Sequence, residues 1–255
     1  MTPRAGRAYL RAVRLALLLP AAFVAGCATA AREPAFQQIE ATAVHAGHAK
    51  VLGLLTSGPG RLVVYGSETD SLSVRYALST TTRAGLVRNQ VETIDKPDSL
   101  FVTIRPAEGS TIDLQVEMPE RLAVVLRDEG RDVIIRNVEN RVEVMLHTGG
   151  SLDVDDVEGP LRIHDERGPI RIHDVRGPVD VVDAGGRIVI DDVKNSVRVQ
   201  TGTGAVTISD VEADVDVITG PGDLVVRDVK GALAYTKRGG GRVTIERVAG
   251  GVTRR

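Results

Sequence analysis

The chain of 255 residues has a formal net charge of -2, an aromatic content of 3% without tryptophan, and a single cysteine. One cysteine excludes an internal disulfide, so the stability of the fold must come from packing and hydrogen bonds. The scarcity of aromatic rings disfavours sugar-binding grooves, because such grooves depend on stacking platforms.

The N-terminus predicts a secretory signal peptide at residues 1–26. Four arginines precede the apolar run Leu15 to Ala25, and no acidic residue occurs before Glu33. The run is shorter than the about 20 residues that a helix needs to span a bilayer. The pattern therefore indicates export, after which this segment is removed.

The signal peptide leads into Val24-Ala25-Gly26-Cys27, which resembles the lipobox of bacterial lipoproteins. The resemblance implies cleavage before Cys27 and acylation of its thiol and amine, and it makes residues 27–35 a lipidated tether. Ala28, in place of Asp, favours the outer membrane by resemblance to the sorting rule of enteric lipoproteins. The alternative is that Cys27 is a buried residue of a signal anchor.

The sequence pattern of residues 36–132 predicts a β-rich N-terminal part. The segments LVVYGS, LSVRYAL and LFVTIRP alternate apolar and polar residues, as strands with one buried face do. We interpret this part as the opening coils of a repeat fold, with insertions between Ser79 and Ser99. It would serve as a cap that blocks an open sheet edge.

Residues 133–255 consist of a short repeat. From Val133 onward the chain divides into lines of nine residues, two of which have ten, and in nearly every line the first and third residues are aliphatic. Apart from the signal peptide, no window has a helical period. The sequence therefore predicts an all-β fold.

Two kinds of line alternate, so one coil consists of two lines, or about 18 residues. In one kind a valine follows an aspartate, and these valines recur at the same place of every second line: Val157, Val175, Val193, Val211 and Val229. In the other kind the equivalent place is Glu166, Ala184, Gly202, Gly220 or Arg238, so that corner is expected to turn without burying a side chain. Stacked coils bury the aliphatic positions continuously, which predicts a β-solenoid.

Glycine and proline mark the corners of the predicted coils. We expect positive φ at the corner glycines Gly185, Gly202, Gly204, Gly220 and Gly222. The C-terminal segment RVAGGVTRR shows no cap, and Arg254 and Arg255 are its only edge protection. This end could stack on another molecule, so end-to-end self-association is expected as one form of partner.

The most regular polar feature is a ladder of carboxylates on one edge of the solenoid. We expect each of them to accept hydrogen bonds from backbone N–H groups of its own turn. The alternative is calcium held between coils by carboxylate and carbonyl oxygens, although these lines lack the glycine-rich loop of calcium-binding β-rolls. The ladder, with one member in every second line, is Asp156, Asp174, Asp192, Asp210 and Asp228.

Catalytic motifs do not occur in the sequence, which contains neither HExxH nor GxSxG. His164 and His173 occupy the fourth place of consecutive lines, so we expect them on opposite sides of one coil, facing outward. His45 and His48 in HAGH form only a weak metal motif. No cofactor, metal or catalytic residue is predicted, and an acidic cluster in a groove would be the feature that favours an enzyme.

The lipobox, the lead-in ending IDLQVEMPERLAVVLRDEGRDVIIRNV and lines such as VRVQTGTGAVTISDVEAD resemble the bacterial envelope family called "putative adhesin". The resemblance covers most of the chain after Phe36. It implies an all-β repeat fold and an envelope location, and it supplies no catalytic residues.

We therefore expect a non-enzymatic, lipid-anchored envelope scaffold or adhesin with a protein or polymer ligand. The alternatives are a periplasmic sensing module that binds a membrane partner during envelope stress and a polysaccharide-active β-helix enzyme. Whether the protein faces the periplasm or the cell surface stays open. Without the signal peptide the chain has 28 basic and 34 acidic residues, which disfavours nucleic acid as a partner.

Overall fold

The computed structural model describes residues 36–88 and 90–255, and these residues form an all-β solenoid. The predicted signal peptide, Cys27 and the tether lie outside the described residues. The elements are β1 (Phe36–His45), β2 (Val51–Ser57), β3 (Arg61–Ser67), β4 (Ser71–Thr80), α1 (Arg83–Arg88), β5 (Gln90–Lys96), β6 (Ser99–Arg105), β7 (Ser110–Pro119), β8 (Ala123–Glu129), β9 (Asp132–Val138), β10 (Val142–His147), β11 (Leu152–Val157), β12 (Leu161–Asp165), β13 (Ile170–Val175), β14 (Val179–Gly185), β15 (Ile188–Val193), β16 (Val197–Thr203), β17 (Val206–Val211), β18 (Val215–Thr219), β19 (Leu224–Val229), β20 (Leu233–Lys237), β21 (Val243–Val248) and β22 (Val252–Arg254).

The strands of residues 36–88 and 90–255 lie in two sheets of 11 strands each. Sheet A has the spatial order β1-β4-β7-β3-β9-β11-β13-β15-β17-β19-β21, and sheet B has the order β5-β6-β2-β8-β10-β12-β14-β16-β18-β20-β22. At about 4.8 Å between strands, the stack is roughly 50 Å long. Each coil contributes one strand to each sheet.

The regular part confirms the predicted repeat. Its strands are parallel, and first places pair with first places, as in Leu152 with Ile170 and Val179 with Val197. The same register extends back to β8, where Val124 pairs with Val142. One ten-residue line is explained by a bulge between Val144 and Leu146 of β10. The predicted coil of two lines is therefore present in the structure.

The interior is filled by aliphatic side chains from both sheets. Ile172 of sheet A and Val181 of sheet B are fully buried. The valines predicted from the alternation are also buried, at no more than 1% exposure: Val157, Val175, Val193, Val211 and Val229. Burial of these ladders supplies the main stabilising term, since each buried CH₂ contributes about 0.8 kcal/mol.

The N-terminal part differs from a simple succession of opening coils. The coil β2/β3 lies between β6/β7, which come later in the chain, and β8/β9, and all these pairings are parallel. Beyond β6/β7, the strands β1, β4 and β5 are antiparallel and form the predicted cap. The chain thus reverses to build the cap before the regular coils begin.

The insertion predicted between Ser79 and Ser99 contains the short helix α1 and the edge strand β5. The helix was not predicted, because its six residues are too few to establish a helical period. No helix in residues 36–88 or 90–255 is long and apolar enough to span a membrane.

Candidate functional site

The two corners of each coil are built differently, and both carry ordered polar residues. We call the first the acidic corner, where strands of sheet A end; it contains Asp156, Asp174, Asp192, Asp210 and Asp228. We call the second series the inner ladder, which follows the ends of the sheet B strands inside the coil. The inner ladder consists of Thr56, Asp128, His147, Asp165, Asp183, Thr201, Thr219 and Lys237.

Backbone geometry explains the aspartates of the acidic corner. Their φ angles lie between 49° and 55°, in the left-handed region, and Asn137 and Arg247 adopt the same conformation in the flanking coils. Asp and Asn enter this region more readily than most residues. The left-handed residue breaks the strand alternation, so the following valine points inward. The described residues show no backbone N–H bond to these five carboxylates, contrary to expectation.

Two of the five carboxylates of the acidic corner, Asp192 and Asp228, are instead bonded to cationic side chains. Lys194 Nζ donates to Asp192 Oδ1 at 2.6 Å, and Arg247 Nη2 donates to Asp228 Oδ2 at 2.7 Å. The hydrogen bond from Arg247 lowers the pKa of Asp228. Burial, and then the charges of Asp191 and Asp228, raise the pKa of Asp210.

A shallow, open groove of about 650 Å³ runs along this corner. It is lined by alternating charges, among them Asp192, Lys194, Asp210, Glu212 and Asp228. In the part of the chain that the structure describes, no group of three or more His, Cys, Asp or Glu residues is arranged to hold a metal ion. Calcium between the coils stays the untested alternative to a structural role of these aspartates.

Chelation tests the calcium alternative directly. We expect the thermal unfolding transition to be the same in EDTA and in millimolar Ca²⁺, because Asp192 and Asp228 already have cationic partners and no group of the described residues is arranged to hold a metal ion. Circular dichroism at increasing temperature measures it. Loss of the transition in chelator would establish a structural calcium ladder.

The backbone role of the acidic corner predicts a difference between two substitutions of Asp174. Asp174→Asn should change the free energy of unfolding by less than about 0.5 kcal/mol, because Asn tolerates left-handed backbone. Asp174→Val should cost about 1–2 kcal/mol, because β-branched residues are strained there. Denaturant titration of both variants measures the difference, and equal stabilities would contradict the backbone account.

The inner ladder is a row of polar residues inside the fold that are aligned by strand register. Each member is the Cα partner of the next, from Thr56 with Asp128 through Asp165 with Asp183 to Thr219 with Lys237. The six members from Asp128 to Thr219 are at most 5% exposed. This corner was expected to turn without burying a side chain. Instead the alternation continues to the fifth place of the line, which is buried and polar.

The N-terminal half of the inner ladder is organised around His147. His147 Nδ1 lies 2.5 Å from Asp165 Oδ1, and His147 Nε2 donates to the carbonyl oxygen of Arg131 at 3.0 Å. Asp128 accepts from the Arg131 backbone N–H at 2.9 Å and lies 3.7 Å from Arg131 Nε. Burial alone would lower the pKa of His147, but its bonds to Asp165 and Arg131 raise it overall.

The centre of the inner ladder contains a second buried carboxyl. Asp183 accepts from Thr201 Oγ1 at 2.9 Å and from the Gly185 backbone N–H at 3.0 Å. Burial raises the pKa of Asp183 to about 6, with the nearby charge of Asp165 adding to the shift and these two hydrogen bonds opposing it. Asp165 Oδ2 is buried without a hydrogen-bond partner.

Lys237 ends the inner ladder on the C-terminal side. Its ammonium group donates to the carbonyl oxygens of Gly220 at 3.0 Å, Gly222 at 2.5 Å and Gly240 at 2.9 Å. A column of glycines follows the same corner, one per coil. We call it the glycine column: Gly150, Gly168, Gly186, Gly204, Gly222 and Gly241.

The inner ladder was missed at the sequence level, although the sequence carries its signal. Five members hold the same place in successive lines of the second kind: Asp165, Asp183, Thr201, Thr219 and Lys237. The first, third and fifth places of an alternating strand face the same side, so the alternation itself indicates that the fifth place points inward. Positive φ occurs at Gly204 and Gly222, as predicted, but not at Gly185, Gly202 or Gly220.

The histidines singled out in the sequence are dispersed. His164 lies on sheet B and His173 on sheet A, so they face opposite sides of the coil, as expected. His173 lies 3.5 Å from Asp191, and His48 Nε2 lies 2.8 Å from Asp95 Oδ1. The histidine with the closest buried partners is His147, which the sequence patterns did not indicate.

Among known proteins, only solved structures resemble this chain. No protein-family model matches the sequence, and no curated protein matches it. A "putative adhesin" from Bacteroides fragilis has 14% identity and a TM-score of 0.49, with 86% of this chain and 97% of that chain covered. A "putative cell adhesion protein" from Clostridium sporogenes has 11% identity and a TM-score of 0.33, with 83% and 99% covered.

A "putative lipid binding protein" from Parabacteroides distasonis has 11% identity and a TM-score of 0.41, with 85% of this chain and 96% of that chain covered. The first two names are adhesin names, as is that of the family that the repeat lines resemble. At these identities no ligand and no residue's role is carried over to this chain.

Proposed function

We propose that the chain is a non-enzymatic, lipid-anchored interaction scaffold of the bacterial envelope, with an adhesin-like role. The observation that carries the proposal is the distribution of polar groups. The histidine–carboxylate pair His147 and Asp165 is enclosed in the coil, whereas the exposed side chains lie on the outer faces of two sheets of 11 strands each. Such faces suit broad contact with a protein or polymer more than capture of a small molecule.

The outer face of sheet B illustrates the surface that a ligand would meet. One column alternates in charge, with Arg162 3.8 Å from Asp180 and Arg198 3.7 Å from Asp216. The exposed apolar side chains Met145 and Val182 also lie on strands of this face. A ligand with alternating charges and small apolar groups at the strand spacing would fit this pattern.

Lipid anchoring and location are tested together in cells. A Cys27→Ser substitution should abolish incorporation of labelled fatty acid, because it removes the thiol that would be acylated. Globomycin, which blocks cleavage before a lipidated cysteine, should leave a larger, uncleaved form in the membrane. Protease treatment of intact cells then separates the two envelope faces, with a periplasmic protein as control. Digestion in intact cells would support adhesion, and protection until the outer membrane is permeabilised would contradict it.

End-to-end self-association is part of this proposal, with a second copy as the occupant. Each of the four terminal strands carries an exposed apolar side chain: Ile39 at 71% on β1, Ile94 at 36% on β5, Val243 at 36% on β21 and Val252 at 49% on β22. Free strand edges at both ends, where each sheet could be continued by another chain, favour head-to-tail stacking.

Two blocked variants of the full chain, both carrying Cys27→Ser, test this contact by analytical ultracentrifugation. Val252→Lys blocks one end and Ile94→Lys the other. Head-to-tail stacking predicts that the mixture forms a heterodimer, while each variant alone stays monomeric. Dimers of the Ile94→Lys variant alone, or monomers in the mixture and in the unblocked chain, would contradict it.

The sensing alternative is favoured by one observation, the buried titratable groups of the inner ladder, because a pH change that alters their protonation would also alter the stability of the fold.

The enzyme alternative has its own site, since the groove of the acidic corner pairs Asp210, whose pKa is raised, with Asp228, whose pKa is lowered. We expect no hydrolysis of envelope polysaccharides. Polysaccharide hydrolysis by the native chain that is lost in Asp210→Asn would overturn the non-enzymatic proposal.

A further inference from the structure

The charges of the inner ladder are balanced at one end and unbalanced at its centre. Asp128 lies beside Arg131, and Asp165 lies beside His147, so each of these carboxylates has a cationic partner. Asp183 has only the hydroxyl of Thr201 and the N–H of Gly185. A carboxylate that is 3% exposed and lacks a cation is costly to ionise.

Asp165 and Asp183 are direct Cα partners on adjacent parallel strands, β12 and β14. Asp165 uses Oδ1 for His147 and leaves Oδ2 buried without a partner. Two ionised carboxylates have only acceptors to offer each other, and a single proton between them turns one into a donor. That proton would satisfy Asp165 Oδ2 and remove the unpaired negative charge together.

We infer that the folded protein binds one proton at this buried carboxyl pair, shared between Asp165 Oδ2 and Asp183. The site is a proton-binding site enclosed by the coil. Protonation couples to folding, because the unfolded chain has no such pair. The site is independent of the scaffold function proposed above and would be present in a periplasmic or a surface protein.

Among the described residues, none of the groups around Asp183 is a cation that could replace the proton. The interior contributed by sheet A in the same and the next lines is aliphatic, with Ile172 and Ile190 fully buried. At the corner Glu166 and Arg187 are exposed, and in the next strands Thr201 and Thr219 separate Asp183 from Lys237. His147 and Arg131, on the other side, already neutralise Asp165 and Asp128.

The sign of the pH effect follows from the raised pKa of Asp183. Between its ordinary value of 3.8 and about 6, the folded state holds a proton that the unfolded state has lost. The free energy of unfolding therefore falls as the pH rises through this range. The raised pKa of His147 acts in the same direction, since its stabilisation is complete below 6.5 and is lost as the pH rises through its folded pKa.

The direct test is ¹³C NMR of the aspartate carboxyl carbons in the full chain carrying Cys27→Ser, with Asp183→Asn to assign the signal. We expect Asp183 to titrate about two pH units above an ordinary Asp. In Asp165→Asn the amide donates to the Asp183 carboxylate, so the midpoint should fall by about one unit or more. A carboxyl already ionised at pH 5, or an unchanged midpoint in Asp165→Asn, would overturn the shared proton.

Thermal and denaturant unfolding at pH 5 and pH 8 provide the second measurement. The Asn amide in Asp183→Asn can donate to Asp165 Oδ2 at every pH, so the variant should fold. Between pH 5 and pH 8 its unfolding constant should change about tenfold less than that of the native chain. Asp180→Asn, on the same strand but facing outward, is the matched control. Equal pH dependence in the two variants would contradict the inference.

Discussion

Arg131→Met is expected to lower the free energy of unfolding by about 3–5 kcal/mol, because it leaves a buried carboxylate without its cation. The Arg131 side chain is fully buried, and Asp128 beside it is also fully buried. Its guanidinium donates to the carbonyl oxygens of Ile112 and, at 2.6 Å, Ser57. Burial lowers the pKa of Arg131, and the charge of Asp128 opposes that shift.

Arg131 connects three parts of the fold, which is why its loss should be so costly. Ser57 ends β2, Ile112 belongs to β7, and the Arg131 carbonyl accepts from His147 on β10. Arg136→Met is the matched control. Arg136 is 50% exposed and lies 3.9 Å from Asp153, an exposed pair that contributes at most about 1 kcal/mol.

Denaturant unfolding of the two variants, followed by circular dichroism, measures the difference. The double variant Arg131→Met with Asp128→Asn should recover part of the loss, because it removes the stranded charge. Losses of similar size for Arg131→Met and Arg136→Met would show that the buried cation is not what holds this junction together.

Gly204→Ala is expected to cost about 3–5 kcal/mol, since it violates two constraints of the glycine column at once. The φ angle of Gly204 is +115°, which L residues rarely adopt. A Cβ atom there would overlap the carbonyl oxygen of Gly186 in the neighbouring coil. The overlap is with backbone, so a side-chain rotation cannot relieve it.

Gly240 provides the matched control for this substitution. It lies at the same corner, its φ is not in the positive region, and a Cβ atom there would meet nothing within 4 Å. Gly240→Ala should therefore change the midpoint of thermal unfolding little, whereas Gly204→Ala should lower it strongly. Similar midpoints for the two variants would contradict the account of the glycine column.

Line boundaries and strand register could be predicted from the sequence because they depend on local alternation. The fourteen predicted line starts, from Val133 to Val252, begin or nearly begin the observed strands. Buried positions such as Val175 and Val193 follow from their recurrence in every second line alone. In a solenoid each coil contacts its neighbours, so a pattern within one coil fixes most of the contacts.

The order of the N-terminal coils could not be predicted in this way. Strand β2 alternates like any other, and its sequence does not specify that it pairs with both β6 and β8. The inner ladder was missed for a different reason. A charged residue is assigned to the surface by its cost of burial, and the partners that offset this cost for Asp128 and Asp165 lie in other coils.

The displaced coil β2/β3 has a consequence for how the chain reaches its fold. Repeat proteins can grow by adding one unit after another along the chain, each on a finished template. This coil has no such template, because both of its neighbours are synthesised later, and Thr56 bonds to Asp128 across 72 residues. The slow step of folding should therefore be closure of this long loop, and the remaining coils should then add rapidly, each through short-range contacts.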